Sequence, residues 1–159
     1  MKNTFKLFAI IAITAVIVFS TGACKLDPGD DGVAKTLVIT GIPETDGGVT
    51  LLGKQITVAI CDNSKKGDPK IVALNQATSA ASVTIPLLSG NEHKKGGSFT
   101  GTGDFYIFLF FDVSNTPGNL SDDTAYIYGG GGNNPYPYNI SKGAATSTLE
   151  FSKFYKTND

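Results

Sequence analysis

Seven consecutive apolar or aromatic residues, FYIFLFF at 105–111, stand between Asp104 and Asp112. In a strand, successive side chains point to opposite faces, so a run without polar alternation leaves neither face suited to water. The segment is expected to run through the middle of a core, covered on both sides. Exposed, it would be an aggregation site, and the flanking aspartates sit where charges guard such runs. Any fold for this chain must therefore cover one strand twice.

The rest of the chain from Lys35 onward reads as short strands between turn signals. TLVITG at 36–41 is the first. QITVAICD at 55–62 alternates, with Ile56, Val58 and Ile60 on one face and Thr57, Ala59 and Cys61 on the other. The turn NSKKGDP at 63–69 precedes KIVAL at 70–74, where Ile71, Leu74 and Ala77 also fit a helical period near 3.6. SVTIPL at 82–87 carries Pro86, which marks an edge or a strand end. TAYIY at 124–128 and ATSTLEF at 145–151 follow. Short strands, Gly-rich turns and no long amphipathic helix predict an all-β fold, an antiparallel β-sandwich of about seven strands. The pattern is generally similar to immunoglobulin-like and transthyretin-like sandwiches, without a motif that identifies either.

The N-terminus has a different grammar. Lys2 and Lys6 precede an uncharged run at 7–19, and residues 20–23 are small or polar. That is the layout of a secretory signal: basic start, apolar centre, small-residue cleavage site. A membrane-crossing helix needs about 20 apolar residues, so a retained helix reaching Ala23 is the alternative.

TGAC at 21–24 resembles the lipobox of bacterial lipoproteins, in which small residues precede an obligatory cysteine. Gly22 and Ala23 match, while Thr21 replaces the usual aliphatic residue. The resemblance implies that residues 1–23 are a signal peptide, cut before Cys24. It further implies a lipid on the Cys24 sulfur and an acylated amine, with palmitate-type chains holding the protein to the membrane. More than one chain is what stable anchoring requires. In the Gram-negative members an aspartate after the cysteine favours the inner membrane; Lys25 stands there instead and points to the outer membrane. Ordinary cleavage after Ala23 would leave Cys24 free to bridge Cys61, although a flexible tail is a poor place for a staple.

Residues 24–159, a stretch of 136, are enough for one core without disulfides or metals. They carry 11 lysines, no arginine and 14 acidic residues. Nucleic-acid binders present a basic stripe and arginine forks, so no nucleic-acid partner is expected. KLDPGDDGVA at 25–34 reads as a flexible tether, averaging roughly 17–19 Å end to end with a limit near 35 Å. The expected organisation is thus signal 1–23, lipidated start and tether 24–34, and β-sandwich 35–159.

Motifs for chemistry are weak. Gly48–Gln55 approaches the phosphate-loop pattern, but Gln55 replaces the magnesium-binding hydroxyl and no helix is expected to follow. His93 is the chain's only histidine and lies in a polar stretch, which supports neither a serine triad nor a zinc site. Residues 112–123 place Asp112, Ser114, Thr116 and Asp123 at calcium-loop positions, but Pro117 occupies the site of the turn glycine. Asp104, Asp112, Asp122, Asp123 and Glu150 could supply a hydrolase pair, although gatekeeping and turn formation account for them too. No catalytic residue, metal or cofactor is expected.

YIYGGGGNNPYPYN at 126–139 holds four of the six tyrosines: Tyr126, Tyr128, Tyr136 and Tyr138. Tyrosine offers broad contact area at modest entropic cost, so these are the candidate partner-binding residues. The competing expectation is that they cap the core. The leading expectation is a membrane-anchored envelope lipoprotein, a non-catalytic binding or structural module for an envelope protein or glycan. The alternatives are a carbohydrate- or peptidoglycan-binding module using 126–139, and a small carboxylate-dependent hydrolase.

Overall fold

The computed structural model describes residues 29–62, 64, 71–89, 97–130 and 134–157. Strands are numbered in chain order. Those of five residues or more are β1 (Thr36–Thr40), β4 (Gln55–Cys61), β5 (Ile71–Thr78), β6 (Ser82–Pro86), β8 (Gly103–Phe111), β9 (Thr124–Gly130) and β12 (Thr146–Glu150). Each coincides with a strand expected from the sequence. Between them lie short pieces: β2 (Thr45–Asp46), β3 (Val49–Thr50), β7 (Leu88–Ser89), β10 (Asn134–Pro135), β11 (Tyr138–Ile140) and β13 (Phe154–Lys156). A 3-10 turn, Phe151–Lys153, joins β12 to β13.

The fold is an all-β sandwich of unequal layers. The large sheet runs β10-β9-β8-β4-β5-β7, with β11 added to β8 and β13 to β9; the small sheet runs β12-β1-β6. β8 lies inside the large sheet, paired with β4 from Ile56↔Phe111 to Cys61↔Tyr106 and with β9 from Phe108↔Ile127 to Phe111↔Thr124. Its alternate residues enter two separate clusters. Ile107, Leu109 and Phe111 pack with Ile56, Val58 and Ile60 against Leu37, Ile39, Val83, Ile85 and Leu149 of the small sheet. Phe108 and Phe110 face the other way, with Ala59, Cys61, Leu74, Ala125 and Ile127. Ile71, Tyr106, Leu120 and Tyr155 close over that second cluster. The Phe108 and Phe110 rings stack there at 5.7 Å. Burial pushes the Cys61 thiol up to about 12, which leaves it unreactive at neutral pH.

The structure decides one alternative and corrects two expectations. Residues 71–78 are strand throughout, because β5 pairs along its whole length with β4 and the helical period never comes into use. The small sheet is not purely antiparallel: β1 and β12 run parallel, from Thr36↔Thr146 to Thr40↔Glu150. Parallel neighbours require a long crossover, and the whole chain between them supplies it.

The second correction concerns the tether. Residues 29–34 are docked onto the sandwich rather than free. The Asp31 N–H donates to the Thr100 carbonyl at 3.2 Å, and the Thr102 hydroxyl donates to the Gly29 carbonyl. Gly29 has φ +102°, and a Cβ there would stand 2.5 Å from the Thr102 carbonyl oxygen, so the contact needs glycine. Lys35 is buried at 3% exposure and its Nζ donates to Asp31 Oδ2 at 2.7 Å, to the Ala144 carbonyl at 3.0 Å and to the Ser141 carbonyl at 3.5 Å. Asp31 also accepts the Gly143 N–H at 2.6 Å and the Val33 N–H at 3.0 Å. This ion pair latches the entering chain to the turn between β11 and β12. Cys24 lies outside the described residues.

Two outcomes follow from this packing. Phe108→Asp is expected to yield insoluble protein, because an unpaired charge would enter the second cluster. Phe108→Ala should lose about 3–5 kcal/mol in urea unfolding; a loss below about 1 kcal/mol would mean the ring is not held in a core.

The Asp31 carboxyl is pushed down to about 2 from an ordinary 3.8, first by the Lys35 hydrogen bond and then by the Gly143 N–H. A depressed carboxyl stabilises the fold above its unfolded pKa, and that contribution disappears as pH falls through the folded value. The melting-temperature gap between wild type and Asp31→Asn should be full at pH 5 and close between about pH 4 and pH 2. An unchanged gap at pH 2 would refute the latch.

Candidate functional site

Beyond the end of β1, the chain passes Gly41 and Pro43 and folds into the β2–β3 hairpin, which carries Asp46. Opposite, the 3-10 turn carries the chain from the small sheet across to the large one. β13 then pairs with β9 in the register Phe154↔Tyr128 to Lys156↔Tyr126. An open cleft of about 470 Å³ lies between these segments. Phe151 and Phe154 give it aromatic walls; Asp46, Ser152 and Lys156 supply its polar groups.

The cleft rests on one polar contact. The Tyr126 hydroxyl donates to Asp46 Oδ2 at 2.8 Å. The tyrosine is otherwise sunk in the core at 1% exposure, its ring 5.6 Å from Phe111 and 5.1 Å from Phe151. Burial, and then the bond to Asp46, push its hydroxyl well above the usual tyrosine range. The contact ties the hairpin to the sheet edge and gives the cleft floor a fixed charge.

Along the same edge runs an aromatic strip. Phe154 stands 5.4 Å from Tyr128, edge to face, and Tyr128 meets Tyr136 at 5.5 Å and Tyr138 at 5.4 Å in the same manner. These are the edge-to-face geometries that ring quadrupoles favour. Burial and the neighbouring Tyr136 raise the Tyr128 hydroxyl above its ordinary value. β10 pairs with the end of β9, with Gly129↔Pro135 and Gly130↔Asn134 opposite one another.

The four expected tyrosines therefore have different situations. Tyr126 is a core residue whose oxygen reaches the cleft. Tyr128 and Tyr138 are half-buried in β9 and β11 and pack against the main core. Tyr136, at 43% exposure, is the exposed large apolar side chain among the described residues. Asp46, Phe151, Ser152, Phe154 and Lys156 were not singled out from the sequence. The signal that could have found the last four is the aromatic spacing of FSKFYK at 151–156, next to the last long strand; nothing comparable marks Asp46.

The other candidates are dispersed or engaged. Asp104 is exposed and accepts the Asn139 side-chain amide at 2.8 Å. Asp112 is buried and accepts the Thr116 N–H at 2.8 Å, while Asp122 accepts the Thr116 hydroxyl at 2.7 Å. Asp123 is 7% exposed, with one carboxylate oxygen unpartnered among the described residues. Burial, then Asp112 and Asp122, push it up to about 6. Glu150 is exposed at the end of β12. Among the described residues no three His, Cys, Asp or Glu side chains are placed to hold a metal ion. Residues 48–55 run as strand, turn and strand, without the helix a phosphate loop feeds. His93 and Cys24 lie outside the described residues.

In comparisons with protein-family models, curated proteins and solved structures, the chain matches none of them.

Tyr126→Phe keeps the ring and deletes the bond to Asp46. It should cost about 1.5–3 kcal/mol, on the scale of a hydrogen bond to a charged group. The variant should also lose the most alkaline step in an ultraviolet tyrosinate titration. An unchanged titration would show that Tyr126 is not the perturbed residue.

Proposed function

We propose that this chain is an exported bacterial lipoprotein, anchored through Cys24 at the cell envelope, whose β-sandwich is a non-catalytic binding module. The observation that carries the binding half is the cleft flanked by the Phe154–Tyr128–Tyr136 strip. It joins aromatic walls to a carboxylate, an ammonium group and a hydroxyl, the mixture with which small sites orient a polar ligand. Asp46 is the carboxylate among the lining residues, and Tyr126 already engages it. A hydrolytic pair of carboxylates would need a second beside it, which favours binding over bond cleavage. The anchoring half is supported by the basic, apolar and small segments that end in TGAC. It is also supported by Cys61, a core thiol that burial keeps protonated.

One observation favours a glycan as ligand. Tyr136 presents a ring to solvent at the end of the strip that Tyr128 joins to Phe154 of the cleft, and a sugar ring can lie against such a face. The alternative occupant is an extended envelope peptide.

Mass spectrometry of the N-terminal peptide from membrane extracts should show a diacylglyceryl thioether on Cys24, and Cys24→Ala should release the protein from membranes. A free thiol or a disulfide at Cys24 would end the anchoring reading. A glycan array that includes peptidoglycan fragments should give signals that Tyr136→Ala reduces severalfold, with unchanged melting temperature. Binding indifferent to Tyr136 would remove the strip from the site.

A further inference from the structure

We infer that the latch fixes which end of the sandwich faces the membrane: the pole at 100–103 and 141–145 lies on the lipid surface, and the cleft is held away from it. The inference rests on the lipidation of Cys24 proposed above, and on the way the chain enters the domain.

The argument is one of reach. Were 25–34 a free coil, the anchor would sit up to about 35 Å from the domain and leave every orientation open. The docked segment removes that freedom. Gly29 accepts the Thr102 hydroxyl, and Asp31 holds both the Thr100 carbonyl and the Gly143 N–H. Only the chain from Cys24 to Gly29 is left to span the gap, at most about 18 Å when fully extended. Lys35 precedes β1 and Gly41 follows it, so the latch and the first cleft residue stand about 20 Å apart along that strand. While the latch is closed, the anchor therefore stays within about 18 Å of the Gly29–Thr102 contact, on the latch side of the domain. Lys35 itself is consumed: its ammonium group meets Asp31 and the carbonyls of Ser141 and Ala144. Its role is to hold the exit of the tether, not to meet a ligand.

The exposed surface at this pole is polar. Ser141, Lys142 and Gly143 are exposed in the turn between β11 and β12, and Asp30 and Asp104 are exposed near them. Both poles carry charges of both signs, with Glu44, Asp122, Lys153 and Lys156 exposed at the other, so the orientation is set by the reach of the tether and not by charge.

The test is solution NMR of the isotope-labelled protein extracted from membranes and placed in nanodiscs with gadolinium-chelating headgroup lipid. Amide signals of 100–103 and 141–145 should weaken severalfold more than those of 44–50. In Gly29→Ala, whose Cβ collides with Thr102, and in Asp31→Asn, the contrast should shrink towards uniform broadening. Equal broadening of both poles in the wild type, or stronger broadening at 44–50, overturns the inference. So does full contrast retained in both variants. Mass spectrometry of the same sample separates the two readings. Absence of lipid on Cys24 defeats the anchoring proposal, whereas lipid present with no contrast defeats only the orientation.

Discussion

β8 has no polar face to give to water, and the rest of the sandwich is arranged around that constraint. Its odd-numbered apolar residues, Ile107, Leu109 and Phe111, require the small sheet; its even-numbered ones, Phe108 and Phe110, require a second layer of cover. β4 and β9 flank it on both edges, so its backbone groups are paired as well as its side chains. Asp104 and Asp112 mark where this ends. Beyond Asp112 the chain turns polar, and the buried carboxylate organises that turn through Ser114 and Thr116.

A sandwich built this way leaves its sides to be closed by short segments. The 3-10 turn and β13 do so on one side, carrying the chain from one sheet to the other. The cleft lies at that crossing, between the 3-10 turn, β13 and the segment that follows β1. Here the groove is walled by the aromatic residues that the crossing also uses to stay packed, Phe151 and Phe154. The packing residues and the proposed recognition strip thus lie side by side, and the ring of Tyr128 connects them.

The long strands were legible because each buries one face or two, which writes a period of two, or an unbroken apolar run, into the sequence. The spacing of Tyr126 and Tyr128 already placed both on one face of TAYIY; their clustering with Tyr136 in composition obscured it. The short strands 138–140 and 154–156 have too few residues to show a period, and only their partners make them strands. The latch was illegible for a related reason. Asp31 and Lys35 sit in a polar, glycine-rich run that reads as linker, and Lys35 bonds to carbonyls 106 and 109 residues away. The cleft belongs to the same class, since its walls come from three separate segments.

The parallel pairing of β1 with β12 governs the order of assembly. Thr36 and Thr146 are neighbours in space and 110 residues apart in sequence. Contacts that distant form late, because the entropy of closing the intervening chain must be overcome first. Until Thr146–Glu150 has been synthesised, β1 can pair only with β6. The small sheet stays incomplete, and Leu149 is missing from the main core. Until residues 146–150 have been made, the chain thus remains uncommitted to its final fold. Such a delay fits the export proposed above, which requires a chain that has not yet folded.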